Sequence, residues 1–152
     1  MRLALLEPEI AANLGAAIRV AACFGADLDV IEPCGFPMSD RRLKRAALDY
    51  GALASPILHH DWDAFENERR SAGERIILLT TRADQDLWSA ELRETDAFLI
   101  GRESSGAPEA VHAAADLRLR IPLAPRARSL NMAVAAAVAL SEARRQVGFS
   151  RT

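Results

Sequence analysis

Three short stretches carry the residue types that a buried ligand site needs. They are Leu79-Thr80-Thr81-Arg82, then Gly101-Arg102-Glu103-Ser104-Ser105-Gly106, then Ile121-Pro122-Leu123 running on to Ser129-Leu130-Asn131. Each offers backbone donors and acceptors beside small side chains, the chemistry that holds an adenosine-like ligand. Taken singly, each is also ordinary turn and cap chemistry. Two phosphate-binding signatures can be excluded. No G-x-G-x-x-G follows the first apolar run, so the dinucleotide fingerprint is absent. Gly101 and Gly106 have the glycine spacing of a P-loop, but Ala107-Pro108 stands where Lys-Ser/Thr is required. Without that lysine there is no clamp for a β- or γ-phosphate.

Metal chemistry finds little support. His59 and His60 are adjacent, His112 is remote, and no ligand spacing of a zinc site is visible. Cys23 and Cys34 are too few for a disulfide framework, which favours a reducing, cytoplasmic setting.

The elements that must position these stretches alternate. Leu3–Leu6, Leu28–Ile31, Ile76–Leu79, Ala97–Ile100 and Leu117–Ile121 are short, apolar and bounded by Gly, Pro or charged residues, as strands are. Leu14–Phe24, Asp40–Ala47, Trp62–Ser71, Pro108–Ala114 and Leu130–Val147 read as helices. Gly25 suits a helix stop, Asp61 a cap, and Pro108 a first helical position. Strand–helix alternation predicts an α/β fold with a mainly parallel sheet covered on both faces. Ligands of such sheets sit beyond the carboxyl ends of the strands, where the three stretches fall.

The 152 residues suit one domain over 1–152, long enough to bury roughly 70% of its unfolded surface. Half the residues are apolar, but the longest run, Met132–Leu140, is far short of the ~20 residues of a membrane span. The net charge of −2 does not attract a polyanion, so a nucleic-acid partner would need a local basic patch.

At this point the chain resembles the SPOUT class of S-adenosylmethionine-dependent RNA methyltransferases, and more narrowly the TrmL (YibK-like) tRNA 2′-O-methyltransferases. The resemblance rests on Glu7-Pro8-Glu9-Ile10-Ala11-Ala12-Asn13-Leu14-Gly15 continuing to Arg19, on Ile100–Gly106, and on Ile121-Pro122-Leu123 with Arg128-Ser129-Leu130-Asn131. Ile31–Phe36 and Arg41–Tyr50 agree as well. It implies a Rossmann-like sheet with a C-terminal deep trefoil knot, a homodimer, and RNA bound across the subunit interface. It places Leu79, Gly101, Ile121, Leu123, Ser129 and Leu130 around S-adenosylmethionine, with S-adenosylhomocysteine as product and no metal. It assigns Asn13, Arg19, Glu103 and Asn131 to the reaction. Two positions depart from the pattern. Arg102 replaces a proline, which bears on loop stiffness, and Ser141 stands where close relatives carry tyrosine, which bears on an aromatic contact to RNA.

The implied reaction moves a methyl group from a sulfonium to a ribose hydroxyl, so alignment is the larger task, worth on the order of 7–11 kcal/mol. A guanidinium is effectively always protonated, so Arg19 reads better as a phosphate-holding and alkoxide-stabilising cation than as the base. Glu103 is expected to fix its loop or pair with Arg19. Asn13, Ser129 and Asn131 could also serve as helix caps. Ser39–Tyr50 reads as an amphipathic helix with Arg41, Arg42, Lys44 and Arg45 off its apolar stripe. These four are either a solvated face or a phosphate-tracking patch for the anticodon stem-loop. Four contacts would give a salt slope of about −3, from about 0.7 per contact. The alanine-rich last helix could pack within the chain or against a second copy. The expected substrate is the wobble nucleotide, cytidine or uridine 34, of leucine tRNAs. The rivals are another tRNA position, ribosomal RNA, or a non-catalytic α/β module that binds a nucleotide or a protein.

Overall fold

Leu3 and Leu5 alternate with Ala4 and Leu6, and all four are buried, so the first strand must be covered on both faces. The computed structural model describes residues 1–47, 49–50 and 54–149. Among them lie β1 (Arg2–Leu6), α1 (Ala11–Phe24), β2 (Asp27–Ile31), α2 (Arg41–Ala47), β3 (Ile57–His59), α3 (Trp62–Ser71) and β4 (Arg75–Leu79). Then follow β5 (Gln85–Asp86), a 3-10 turn (Leu87–Ser89), β6 (Asp96–Ile100), α4 (Glu109–Ala114), β7 (Leu117–Arg120) and α5 (Met132–Val147).

The strands form one sheet in the order β3-β2-β1-β6-β4-β7-β5, and every strand pairing is parallel. The chain winds outward from β1 to β3, then places β6 between β1 and β4. Leu3, Leu5 and Phe98 bury one face under α1 and α5. Ala4, Leu6, Ile76, Leu78 and Leu99 bury the other with Phe65 of α3 and Val111 of α4. Register sets the site: Leu79 pairs with Ile100, and Leu79 also pairs with Leu119, so β4, β6 and β7 end at nearly one level. Their three following loops are neighbours at one rim of the sheet.

The expected α/β class and its five strands are present, with two more. β3 and β5 escaped sequence reading because they are three and two residues long and show no apolar alternation. The third expected strand-end boundary shifts, since β7 stops at Arg120 and Ile121 begins the loop. Helix starts shift too. Helix α1 begins at Ala11 rather than Leu14, and Ile10 rather than Asn13 is its N-cap. Pro108 is the N-cap of α4, not its first helical residue, and its carbonyl accepts from the N–H groups of Val111 and His112. Asn131 caps α5, which leaves Leu130 and Ser129 in the preceding loop. Asp61 caps α3 by accepting from Ala64 N at 2.8 Å, and Gly25 ends α1 in the left-handed region, both as expected. Leu48, inside the expected amphipathic stretch, lies outside the described residues.

Helix α2 seats tightly on α1. A Cβ at Gly15 would meet the Leu43 carbonyl at 2.5 Å and the Ala46 Cβ at 2.6 Å, so any larger residue would push the helices apart. Helix α5 turns Ala136, Ala139, Leu140 and Ala143 inward, and packs on α1 within the chain. Val134 stays on its outer side, exposed.

Candidate active site

The loops after β4, β6 and β7 and the start of α5 enclose a cavity of about 580 Å³. This lies in the range of roughly 300–1,000 Å³ typical of small-molecule sites. Leu79, Gly101, Ile121 and Leu123 line it, as do Ser129 and Leu130. Asn13, Glu103 and Asn131 stand at the same cavity. All six residues expected around a methyl donor, and three of the four expected in the reaction, therefore converge.

Glu103 ties this corner together. Its carboxylate accepts from Glu9 N at 2.8 Å, from Ile10 N at 3.3 Å and from Asn13 Nδ2 at 3.2 Å. Helix α1 lacks a side-chain cap of its own, and Glu103, from the loop after β6, holds the N–H groups just ahead of it and places an acid at its positive end. Asn13 is thereby free to turn into the site, and its Oδ1 accepts from Asn131 Nδ2 at 2.8 Å. Asn131 in turn accepts from Ala133 N at 2.9 Å and Val134 N at 3.3 Å. One chain of hydrogen bonds thus links the loop after β6, the start of α1 and the start of α5. Glu103 makes none of its hydrogen bonds to Arg19; the expected pairing of the two is not formed.

The loop after β6 is clasped to the loop after β1 at two further points. Arg102 donates to the Glu7 carboxylate at 2.7 Å, and Ser104 donates through its N–H and hydroxyl to Glu9, both at 2.8 Å. These Ser104 bonds pull the Glu9 carboxyl below its ordinary value. The backbone N–H of Arg102 also donates to the Gly106 carbonyl at 3.1 Å, a bond that a proline there could not make. The departure at Arg102 therefore exchanges ring stiffness for an ion pair and a backbone bond. Gly101 is required by this closure: a Cβ on it would meet Ala107 N at 2.4 Å and the Gly106 carbonyl carbon at 2.5 Å.

Arg19 stands apart. It lies six residues beyond Asn13, about 9 Å along α1 and about 120° round it. It is exposed and is not among the residues lining the cavity. Its guanidinium lies 5.5 Å from the centroid of the Tyr50 ring, which puts it beside α2. Arg41, Lys44 and Arg45 are exposed on that helix, while Leu43 and Ala47 are buried. Arg42 is exposed as well but pairs with Asp40 at 2.9 Å, and this pair holds Asp40 down to about 2. The basic surface expected of four cations thus has one of them already engaged.

Of the further lining residues, Met132 and Ala135 fall within the segment Ile121–Ala135 expected to close the pocket and Ile10 within the first motif, whereas His112 was given no site role. His112 had a usable signal: it lies one turn beyond the Pro108 cap, in the last turn of α4. Among the described residues no group of three or more His, Cys, Asp or Glu is gathered for a metal, and no helix is long and apolar enough to cross a membrane.

Solved structures share this architecture. One described as "Structural insights into the 2-OH methylation of C/U34 on tRNA" superposes with a TM-score of 0.89 at 42% identity, over 96% of this chain and 89% of its own. The SpoU methyltransferase AviRb from Streptomyces viridochromogenes, in complex with the cofactor AdoMet, gives 0.88 at 26% identity, over 97% of this chain and 60% of its own. The fold is thus that of an RNA methyltransferase. More narrowly, residues 1–141 match the SpoU rRNA methylase family, and the chain belongs to it. Among curated relatives, the tRNA (cytidine(34)-2′-O)-methyltransferase of Beijerinckia indica is 49% identical over 96% of this chain and 91% of its own length. The enzyme of the same name from Escherichia coli is 36% identical over 98% and 95%.

Proposed function

We propose that this protein is a single-domain tRNA 2′-O-methyltransferase that acts on the ribose of the wobble nucleotide, cytidine or uridine 34, with leucine tRNAs as substrates. The observation that carries this reading is the convergence of the three strand-end loops on one cavity beside the Glu103–Asn13–Asn131 chain. The C-terminal trefoil knot, the homodimer and the cytoplasmic setting belong to the same reading.

The cavity fits S-adenosylmethionine on its own chemistry. Leu79, Ile121, Leu123 and Leu130 give it apolar walls, and Ser129 and the glycine loop give it polar ones. Glu103 is the only acid on its lining among the described residues. The two lining arginines are already paired, Arg82 with Glu109 and Arg102 with Glu7. Glu103 has no cationic partner among the described residues and is a counter-charge suited to a sulfonium. When bound, the donor supplies an electrophilic methyl group and leaves as S-adenosylhomocysteine. The chain's own task is positioning. Gly101–Gly106 holds the donor's wall at a fixed height through Arg102, Glu103 and Ser104, and Asn131 joins that wall to α5. Arg19 and the cations of α2 hold the RNA backbone, and Arg19 stabilises the developing alkoxide while the hydroxyl proton leaves to a neighbouring group or water.

The deciding experiment incubates the protein with methyl-labelled donor and bulk tRNA and maps 2′-O-methylation by nucleotide. Label at position 34 is the expected result. Label elsewhere, or on ribosomal RNA only, replaces the substrate; no label and no donor binding by calorimetry leaves a non-catalytic module.

A further inference from the structure

His112 is a polar residue of the cavity wall that belongs to none of the motifs. It is 6% exposed, it lines the cavity, and neither ring nitrogen has a hydrogen-bond partner among the described residues; only its carbonyl is engaged, by Arg118 at 2.9 Å. Neither nitrogen is sealed off, since among the described residues Arg69 Nε is the one enclosed side-chain polar atom without a partner, so the ring is open to solvent and to a ligand, and its protein neighbours supply no partner. Arg82 from the loop after β4 and Arg118 from β7 act on the ring through their charge and make no hydrogen bond to it, and Glu109, a turn earlier on α4, is taken by Arg82 at 2.8 Å. The open side of the ring is the cavity.

The geometry points to His112 as a further donor-binding residue, one that meets the bound S-adenosylmethionine through an uncharged imidazole. The inference rests on the proposed donor. Burial, with Arg82 and Arg118 nearby, already holds the ring below its ordinary value of 6.5, the Glu109 charge opposing only in part. A ligand filling the cavity removes what water remains at the ring and disfavours its charged form further. Binding and protonation of His112 therefore oppose one another. Affinity is highest where the ring is neutral and falls as the solution is acidified through its lowered value.

The test uses S-adenosylhomocysteine, which lacks the sulfonium charge, titrated by calorimetry into the full chain between pH 5 and 7.5. Native protein should bind more weakly toward pH 5. His112→Leu, similar in bulk, should bind about 3- to 10-fold more weakly at pH 7.5, the loss of one neutral hydrogen bond, and should lose the acid dependence. His112→Gln, which keeps hydrogen-bonding capacity without titrating, should bind better than the leucine variant and show the same flat profile, and it carries the test if leucine disturbs the fold. Native-like affinity and an unchanged acid limb in the folded variants would overturn the role of His112 and leave the donor site standing. Tighter binding by native protein toward pH 5 would overturn it as well, by requiring a charged ring. Absence of binding by native protein at every pH would instead overturn the donor reading beneath it.

Discussion

Glu103 and Asn131 each hold backbone and site together, and substitutions can separate the two duties. Glu103→Ala removes the acceptor for two N–H groups at the start of α1 and for Asn13. Water can reach these exposed donors, so the fold is retained at a cost of about 1 kcal/mol, while kcat falls roughly a hundredfold, as when a supporting loop moves by about 1 Å. Unchanged kcat in steady-state assays would take Glu103 out of the site. For Asn131 the pair of variants is Ala and Asp. Ala removes the cap of α5 and should lower unfolding stability by about 1 kcal/mol in urea titrations. Asp can still cap, so stability should stay within about half a kcal/mol, yet it cannot donate to Asn13 and turnover should fall as in Ala. Equal stability losses in the two variants would mean that the cap is not what Asn131 contributes.

At the scale of elements, two surfaces make distinct claims. The clasp between the loops after β1 and β6 depends on an ionised Glu9, whose folded-state value lies below 4.5 because Ser104 donates to it twice. Its contribution is complete above pH 4.5 and is lost as pH falls through the lowered value. Ser104→Ala should therefore flatten part of the acid limb of thermal stability between pH 5 and 3, and an identical limb in the variant would refute this. Helix α2 makes a claim about salt. With Arg42 engaged by Asp40, Arg41, Lys44 and Arg45 are the α2 cations without an ion-pair partner among the described residues, and the dependence of tRNA affinity on salt should have a slope of about −2, from about 0.7 per single-strand contact, rather than −3. A slope unaltered by Arg41→Ala and Lys44→Ala would show that α2 is only a solvated face. These elements also mark what could be read in advance. The five apolar strands and the helices between them follow from length and period, because burial on both faces writes itself into continuous apolar runs. Edge strands β3 and β5 do not, since Ile57 and Leu58 are exposed and Gln85-Asp86 is polar. The six donor-site positions came from motif resemblance. The contacts of Glu103 with Asn13 and of Asn13 with Asn131 span 90 and 118 residues, beyond any periodic signal. The N-cap of α1 misled for the same reason: its acid comes from far along the chain.

The whole molecule raises the question of where Arg19 acts. Within one chain its side chain is stacked beside Tyr50 on the α2 side of α1, while Asn13, Glu103 and Asn131 line the cavity from the start of that helix. Arg19 sits about 9 Å along the unbroken helix α1 from Asn13 and on another side of it, and its observed side chain lies by Tyr50, away from the cavity lining. A second copy resolves this if its Arg19 faces the cavity of the first, with exposed Ile10 and Val134 near the contact. The expectation can be tested without a structure of the complex. Arg19→Ala and Glu103→Ala chains, each inactive alone, are unfolded together, refolded and assayed. If Arg19 serves the partner's cavity, each mixed dimer carries one intact site, and random pairing restores about a quarter of native activity. If Arg19 serves its own cavity, every site in the mixture lacks one group and activity stays at the level of the separate variants. The size of the recovery, compared with the fraction of mixed dimers measured by differential tagging, then distinguishes a site shared between subunits from one in which the second copy only binds RNA.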